Sequence, residues 1–510
     1  MINSNVDAFE FYVYNVDAVE DYFMVERKID LTKSILSNDR KAYHALRGIC
    51  HCFDAVDAQI YLVGGCVRDM LLGKKPNDYD LCTNLSPNEV KKLFDDENRC
   101  IDETRYAFIE TGLKHGTVTV HDNEYDMSFE ITTYRVDADY SDHRHPDSVE
   151  FTSNLEDDLK RRDFTINSFA YDFFKCVVIA LEDSYFDDLK CGIVRAVGDA
   201  NSRFEEDALR MLRAIRFCAQ LKFLIDSRTY FGIRECASSI SMVSKERIRD
   251  ELTKILMSDC PYMLELVIST GLDKYIFAQT SNPEFMSQML SCEQHSKYHY
   301  TDVFHHTIDV VEKLPKVKRL RWAGFLHDVG KIESKTTKDG VDHFYGHAKV
   351  GSRFANEILN YLKFDNETID LVTKYVELHD YPWKDVGVRK FKKHLVEIGV
   401  DNFDEFIDLM KCDAMAHSLE YVCSLLYSVQ TAYSRFRKII DDDEPLFLSD
   451  LAVDGNDMLD LGISGKKIGE ILQKLLDFVL ENANNNTRDK LISKAKTLIP
   501  HAGLNEDRKE

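Results

Sequence analysis

Apolar positions along this chain change their period near residue 200. Between about 59 and 175 they come in short blocks or alternate with polar residues, which predicts strands over 60–63, 116–121, 128–134 and 177–181. Just ahead of them, Ala42, Ala45, Leu46, Ile49 and Phe53 recur at helical spacing and predict an amphipathic helix over 39–55. Beyond about 200 the spacing is helical almost without interruption, most clearly over 203–222, 245–257, 305–314, 350–362 and 468–480. Strands followed by helices predict an α+β multidomain chain with a small mixed-sheet head and a long all-α body. The length of 510 residues agrees, because single cores rarely grow past about 250–300 residues.

The first strand block, Tyr61-Leu62-Val63, runs into Gly64-Gly65-Cys66-Val67-Arg68-Asp69, and Asp78-Tyr79-Asp80 follows. Residues i and i+2 of a strand face one side, so Asp78 and Asp80 aim at one point. Two adjacent like charges call for a cation. Backbone N–H groups at Gly64 and Gly65, with Arg68, make a seat for phosphate. A lone D-x-D is usually a solvated loop; the order strand, double glycine, arginine, paired acids is what points to magnesium-dependent nucleotidyl transfer. Glu130, on the alternating segment 128–134, is the candidate third carboxylate of a two-metal clamp.

Lys160-Arg161-Arg162 before Asp163 could grip a triphosphate and a ribose, although such triplets are more often solvated turns. Asp207 and Arg210 lie three apart on the expected helix and so share a face, as do Arg213 and Arg216. The plain reading is an ion-paired helix surface. The sharper one is base recognition: a carboxylate accepts from the exocyclic amine of cytosine or adenine while an arginine donates to the neighbouring ring acceptor. Such a pair would reject uracil and guanine without a nucleic-acid template.

Composition adjusts this picture. The formal charge of −23 argues against nucleic-acid binding, which draws on Lys and Arg. Local basic clusters soften it: Lys245, Arg247 and Arg249, then 313–321, 389–393, and Lys466 with Lys467. The 13 cysteines show no C-x-x-C pair, so reduced thiols are expected. No apolar run suggests a membrane span, and the acidic N-terminus is unlike a targeting signal, so a cytoplasmic location is expected.

Five stretches in order carry a family resemblance: G-G-x-V-R-D with D-x-D, E-x-T-T-Y-R from Glu130, R-R-D-F-T-x-N ending at Asn167, E-D-x-x-R-x-x-R-x-x-R-F from Glu206, and E-R-I-x-x-E-L at 246–252. Over about residues 45–260 the chain resembles tRNA nucleotidyltransferases (CCA-adding enzymes) of the class shared with bacterial poly(A) polymerases. The resemblance implies that Asp78, Asp80 and Glu130 bind magnesium. It implies that Gly64, Gly65, Arg68, Arg161, Arg162, Asp163, Asn167, Arg213 and Arg216 serve nucleotide binding. Asp207 and Arg210 would select CTP, then ATP, and tRNA would be the partner. A full-length loop at 136–147 favours adding the terminal adenosine.

A second constellation lies in the helical part. His327-Asp328 ends an apolar helix with Gly330 as its expected cap, and His306, His347, His379 and Asp413 sit on neighbouring segments. Imidazoles with carboxylates suit a divalent metal. The order H…HD…H…H…D resembles an HD-type phosphohydrolase domain. It implies a metal, of unspecified identity, on His306, His327, Asp328 and Asp413, with His347 and His379 adding a second or binding phosphate. The expected organisation is an acidic N-terminal extension (1–45), a catalytic head (46–180), a nucleotide-selecting neck and RNA-binding body (181–280), an HD-type metal domain (290–440) and a helical tRNA-binding tail (445–510). In the tail, Lys466 and Lys467 at a glycine-flanked helix start suit backbone phosphates. The alternatives are a poly(A) polymerase, or an HD phosphohydrolase with an RNA-binding head.

Overall fold

The computed structural model describes residues 13–14, 24–95, 105–112, 116–137 and 149–498. They divide into two units, Met1–Ser287 and Gln288–Glu510. The first is built on one mixed sheet of β1 (Val25–Lys28), β2 (Ile60–Val63), β3 (Asp80–Thr83), β4 (Tyr106–Gly112), β5 (Thr117–Asp122), β6 (Met127–Thr133), β7 (Phe169–Asp172) and β8 (Val177–Ala180), in the order β1-β8-β7-β2-β3-β6-β5-β4. β3 runs antiparallel to β2 and parallel to β6. The apolar faces of these strands bury Leu62, Val63, Leu81, Phe129, Ile131, Phe169 and Val178. α1 (Arg40–Asp54) buries Ala42, Ala45, Leu46, Ile49 and Phe53, as its period predicts. Its start is fixed by Asp39, whose carboxylate accepts the Ala42 N–H at 3.0 Å.

Three expectations are corrected here. The stretch expected to be an appendage supplies β1, which pairs with β8 at the sheet edge. Its charged sequence Glu26-Arg27-Lys28 hides a strand by polarity, and such charge is what an edge tolerates. The single helix expected over 203–222 is two, α3 (Ala200–Glu206) and α4 (Leu209–Leu221), with Asp207 extended between them at φ −139° and ψ 102°. The helical part is also interrupted by a hairpin of Thr336–Lys338 and Val341–His343, turned by Asp339 and Gly340, both at positive φ. The remainder of the 1–45 stretch before Met24 (save residues 13–14) and the loop at 136–147, beyond its first two residues, lie outside the described residues.

The second unit is helical: α6 (Val303–Lys313), α7 (Lys318–Leu326), α8 (His347–Tyr361), α9 (Asn366–Leu378), α10 (Val388–Ile398), α11 (Phe403–Met415), α12 (Leu419–Asp441) and α13 (Lys466–Glu481) carry its core. Trp322 is fully buried edge-on to Phe364, and Trp383 packs against Phe391, Phe403 and Phe406. Burying each such aromatic contributes roughly 1.5–3 kcal/mol. The α+β expectation, a mixed-sheet head followed by a helical body, is borne out. Among the described residues no helix is long and apolar enough to cross a membrane, and no cysteine is disulfide-bonded.

Candidate functional site

In the first unit, the end of β2 and the start of β3 lie level with the middle of β6. Their register sets Val63 opposite Asp80 and Leu81 beside Ile131, so Asp80 and Glu130 lie at neighbouring positions on parallel strands. Asp78 lies two residues before Asp80, just ahead of β3. Glu130 is on the exposed face of β6, between buried Phe129 and Ile131. The carboxylates of Asp78 and Glu130 act electrically on that of Asp80. Burial of its carboxyl raises the pKa of Asp80 to about 6, and the charges of Asp78 and Glu130 push the same way. The residue as a whole stays exposed, so the shielding is local to the carboxyl.

After β2 the chain turns at Gly64, with φ 74° and ψ −135°, into the short helix α2 (Gly65–Leu71). Glycine is required there by conformation, and a Cβ would also meet Arg162 Nη1 at 3.2 Å. Arg68 is buried; it donates to Asn167 Oδ1 at 2.7 Å and to Asp69 Oδ1 at 2.9 Å. Asn167 in turn donates to Asp163 Oδ1 at 3.1 Å. Asp163 also accepts from Arg213 Nε at 2.9 Å. Burial pushes the Asp163 carboxyl up, but Arg213 and these hydrogen bonds outweigh it and bring it to about 2. Arg161 and Arg162 both bind buried Asp158. Three cations that read as a solvated turn are therefore partly a pinned guanidinium cluster.

A cavity of about 270 Å³ is lined by Arg161, Arg162, Asp163, Asp207, Arg210, Arg213 and Arg247. The break between α3 and α4 corrects the shared-face argument for Asp207 and Arg210: they lie on either side of the point where the helix stops, and both line this cavity. Asp207 Oδ1 accepts the Leu209 N–H at 3.0 Å, which competes with helix continuation. Its Oδ2 accepts from Arg247 Nη2 at 2.8 Å. Arg210 donates to Arg161 O at 3.2 Å and pairs with Glu206. Arg216 does not line this cavity. It is buried behind it, its Nε 3.1 Å from Glu251 Oε2 on α5 (Lys245–Leu256), and burial lowers its pKa to about 10. Arg247 was missed as a site residue; its signal was the E-R-I-x-x-E-L stretch, where Arg247 and Glu251 are four apart on one helix face.

In the second unit, His327 and Asp328 come after the last residue of α7 rather than inside it. Gly330 is right-handed at φ −73° and is no left-handed cap. A glycine is required because a Cβ would meet His347 O at 2.1 Å and Gly351 N at 2.4 Å. That close approach brings α8 and His347 against Asp328. Asp328 Oδ2 lies 3.4 Å from His306 Nε2 and 3.3 Å from His327 Nε2; its Oδ1 lies 3.3 Å from His347 Nε2 and 3.6 Å from His379 Nε2. Asp413 Oδ1 is 3.1 Å from His306 Nε2. The other nitrogen of each imidazole faces a backbone carbonyl: His306 Nδ1 on Ala416 O at 3.4 Å, His327 on Gly324 O at 2.7 Å, His347 on Phe344 O at 2.9 Å, and His379 on Val376 O at 2.7 Å. With each Nδ1 turned outward to a carbonyl, four Nε2 atoms and two carboxylates converge, and His347 Nε2 and His379 Nε2 lie 3.1 Å apart. His327 Nε2 is buried and makes no hydrogen bond.

Three groups of described residues bring ligating atoms within 4.8 Å of one another: His306 with His327 and Asp328, Asp328 with His347 and His379, and His306 with Asp413 and His417. The head carboxylates do not reach that spacing. His305, beside the site, is exposed and bound to Asp302. His417 is a further member that sequence reasoning missed.

Lys466 and Lys467 are exposed at the start of α13, after Gly465 at φ 63°. The basic stretch at 389–393 is different. Arg389 and Lys393 pair with Asp477 of α13, and buried Lys392 pairs with Glu444. Those charges are neutralised internally.

Residues 60–195 match a family profile described as the poly A polymerase head domain, 222–288 one described as a probable RNA and SrmB-binding site of polymerase A, and 298–441 one described as the HD domain. Fold and site thus define a nucleotidyltransferase-type head and an HD-type module in one chain. The chain is 30% identical over 437 residues to the CCA-adding enzyme of Lactobacillus johnsonii, covering 84% of this chain and 90% of that one. It belongs to the CCA-adding enzyme family. It is 40% identical over 258 residues to the CCA-adding enzyme of Lactiplantibacillus plantarum, covering 50% of this chain and only 60% of that relative's length. Among solved structures it is similar to the Bacillus stearothermophilus CCA-adding enzyme in complex with CTP, with a TM-score of 0.64, 23% identity, and coverage of 90% of this chain and 97% of that one. It also shares its fold with the Thermotoga maritima CCA-adding enzyme complexed with tRNA_CCA, at a TM-score of 0.55, 20% identity, and coverage of 93% and 99%.

Proposed function

We propose that this chain adds CCA to the 3′ end of tRNA from CTP and ATP without a nucleic-acid template. The observation that carries this reading is the strand pairing that sets Asp80, at the start of β3, beside Glu130 of β6, next to the Gly64 turn and to a cavity where arginines face Asp207. The relatives' name and their complexes with CTP and tRNA support the substrates. The five-part division of the chain expected from its sequence belongs to this proposal.

Burial first, and then the charges of Asp78 and Glu130, raise the Asp80 pKa, which supports a role for a divalent cation here, and Asp78, Asp80 and Glu130 would hold magnesium. Magnesium bound there supplies Lewis-acid chemistry that offsets charge on the attacking and leaving oxygens. The remaining work falls to the chain's own residues. Gly64 leaves room for phosphate beside Arg162, and Arg68 and Arg213, held by Asn167 and Asp163, keep the arginine cluster in one arrangement. Asp207 accepts from the amine of cytosine or adenine, and Arg210 donates to the neighbouring ring acceptor. The RNA 3′-hydroxyl attacks the α-phosphorus and pyrophosphate leaves, with no covalent enzyme intermediate. Lys466 and Lys467 contact tRNA phosphates.

The second unit would hold a divalent cation on His306, His327, Asp328 and Asp413. His347 and His379, facing the other oxygen of Asp328, take a second cation or a phosphate. The outward-tied imidazoles and the unbonded His327 Nε2 fit such a group. Phosphate-ester hydrolysis is the accessory activity this supports.

The test is extension of a tRNA ending at its discriminator base, with magnesium and each labelled triphosphate singly and together. Addition of two cytidines and one adenosine is expected. A run of adenosines would establish the poly(A) polymerase reading instead, and phosphate release without extension would leave only the hydrolase.

A further inference from the structure

We infer that Arg247 is a positioning residue for base selection: its guanidinium holds the Asp207 carboxylate in the one orientation that reads the incoming base. This rests on the proposed base-reading role of Asp207.

Asp207 is the extended residue between two helices; its N–H closes α3 on Arg203 O at 3.4 Å and its carbonyl accepts the Arg210 N–H at 2.9 Å, so its backbone is held and its side chain is set by other donors. Two donors set its side chain. The Leu209 N–H, at 3.0 Å, is local and holds only Oδ1. Arg247 Nη2, at 2.8 Å, holds Oδ2 from 40 residues away. Each carboxylate oxygen can accept twice, so both donors leave a lone pair on each oxygen for a base amine. Arg247 is itself well anchored. Glu251, one helical turn on, is buried and ion-paired with Arg216 of α4. That pair pins α5 against the helix that follows Asp207. The other half of the reader, Arg210, is fixed separately by Glu206 and the carbonyl of Arg161. Arg247 ties Asp207 to α5, within the stretch that matches the RNA-binding profile.

Rejection depends on this clamp more than acceptance does. A carbonyl of uracil or guanine is repelled only while the carboxylate oxygen cannot swing away from it. A freed Asp207 would still accept from an amine but would no longer insist on one.

The experiment uses the full chain, a tRNA lacking CCA, and kcat/KM measured separately for CTP, ATP, UTP and GTP. In Arg247→Met the preference for CTP over UTP is expected to fall about tenfold, chiefly through a lower KM for UTP, with the melting temperature and pyrophosphate affinity nearly unchanged. Arg247→Lys is expected to restore part of the preference, since an ammonium supplies the charge without the fork. A proportional loss on all four nucleotides would overturn the inference and leave Arg247 a structural residue. Asp207→Asn separates the two levels. If it relaxes the preference and Arg247→Met does not, only the clamp fails; if neither does, the base-reading assignment fails and the clamp with it.

Discussion

Asp80 of the first unit and Asp328 of the second are both shielded aspartates among titratable neighbours, yet their surroundings drive them in opposite directions. Burial raises Asp80 to about 6, and Asp78 and Glu130 add to the rise against a weaker pull from Arg162. Burial also opposes ionisation of Asp328, but Lys331, at 2.6 Å, and His327 overcome it and hold that carboxyl well below the usual carboxylate range. The head keeps its acids unbalanced, so compensating charge is worth most when it arrives from outside. The helical unit carries compensation in its own side chains, and an incoming cation competes with Lys331. A cation arriving from outside would gain most at the first site, while at the second it would have to displace Lys331 from Asp328.

The sharpest way to break this comparison is to neutralise each aspartate. Asp80→Asn is expected to lower nucleotidyl transfer at least about a thousandfold, or about 4 kcal/mol of barrier, because metal charge stabilisation goes with it. The same change should leave folding intact or stabilise it by up to about 1 kcal/mol after solvent screening, since it removes repulsion. Single-turnover extension and thermal unfolding read the two effects; a strongly destabilised Asp80→Asn would refute the unbalanced-acid picture. Asp328→Ala should behave in the opposite way. It leaves Lys331 buried without its carboxylate, at a cost of about 3–5 kcal/mol to the second unit's unfolding transition. It should also abolish metal retention, measured on the dialysed protein, while CTP addition continues.

Acidity sharpens the contrast with a smaller effect. The folded pKa of Asp80 lies above its unfolded value, so its charged form disfavours the fold. Stability on its account is greatest below about pH 4 and declines as pH rises through about 6. Cation affinity has the opposite sign, because a protonated Asp80 is a poor ligand. At subsaturating magnesium, kcat/KM for CTP should fall about tenfold per pH unit below about pH 6, and added magnesium should move the inflection lower. A profile flat to pH 5 at low magnesium would mean that Asp80 is not coupled to cation binding.

How much of this was legible follows residue by residue. The strand periods and the double glycine were local signals, and the structure sets Asp80, at the start of β3, beside Glu130 in the middle of β6. The order of histidines and acids after residue 300 was likewise open to reading, because each sits in its own segment with a distinct neighbour pattern. Breaks and partners were not legible. Phe204, Ala208, Leu209 and Leu212 keep a helical period straight through the gap at Asp207, so apolar spacing cannot show that the helix stops. The role of Gly330 is a contact with a backbone 17–21 residues away, invisible to a rule about caps. Basic clusters were read by local charge, which does not reveal that α13 neutralises Arg389 and Lys393.

That last difference supplies the weakest lever on the comparison of balanced and unbalanced charge, this time among cations. Lys466 and Lys467 are exposed at the start of α13, whereas Arg389 and Lys393 spend their charge on Asp477 of the same helix. Only unspent cations release counterions from RNA. Changing both Lys466 and Lys467 to Ala should weaken tRNA binding about tenfold and reduce the slope of log affinity against log salt by about 1–2, leaving kcat at saturating tRNA unchanged. Changing Arg389 and Lys393 to Ala should leave that slope alone and instead lower the stability of the second unit by about 1 kcal/mol, since their ion pairs are half-exposed. Equal salt slopes for the two double variants would show that internal pairing does not decide which lysines and arginines meet the RNA.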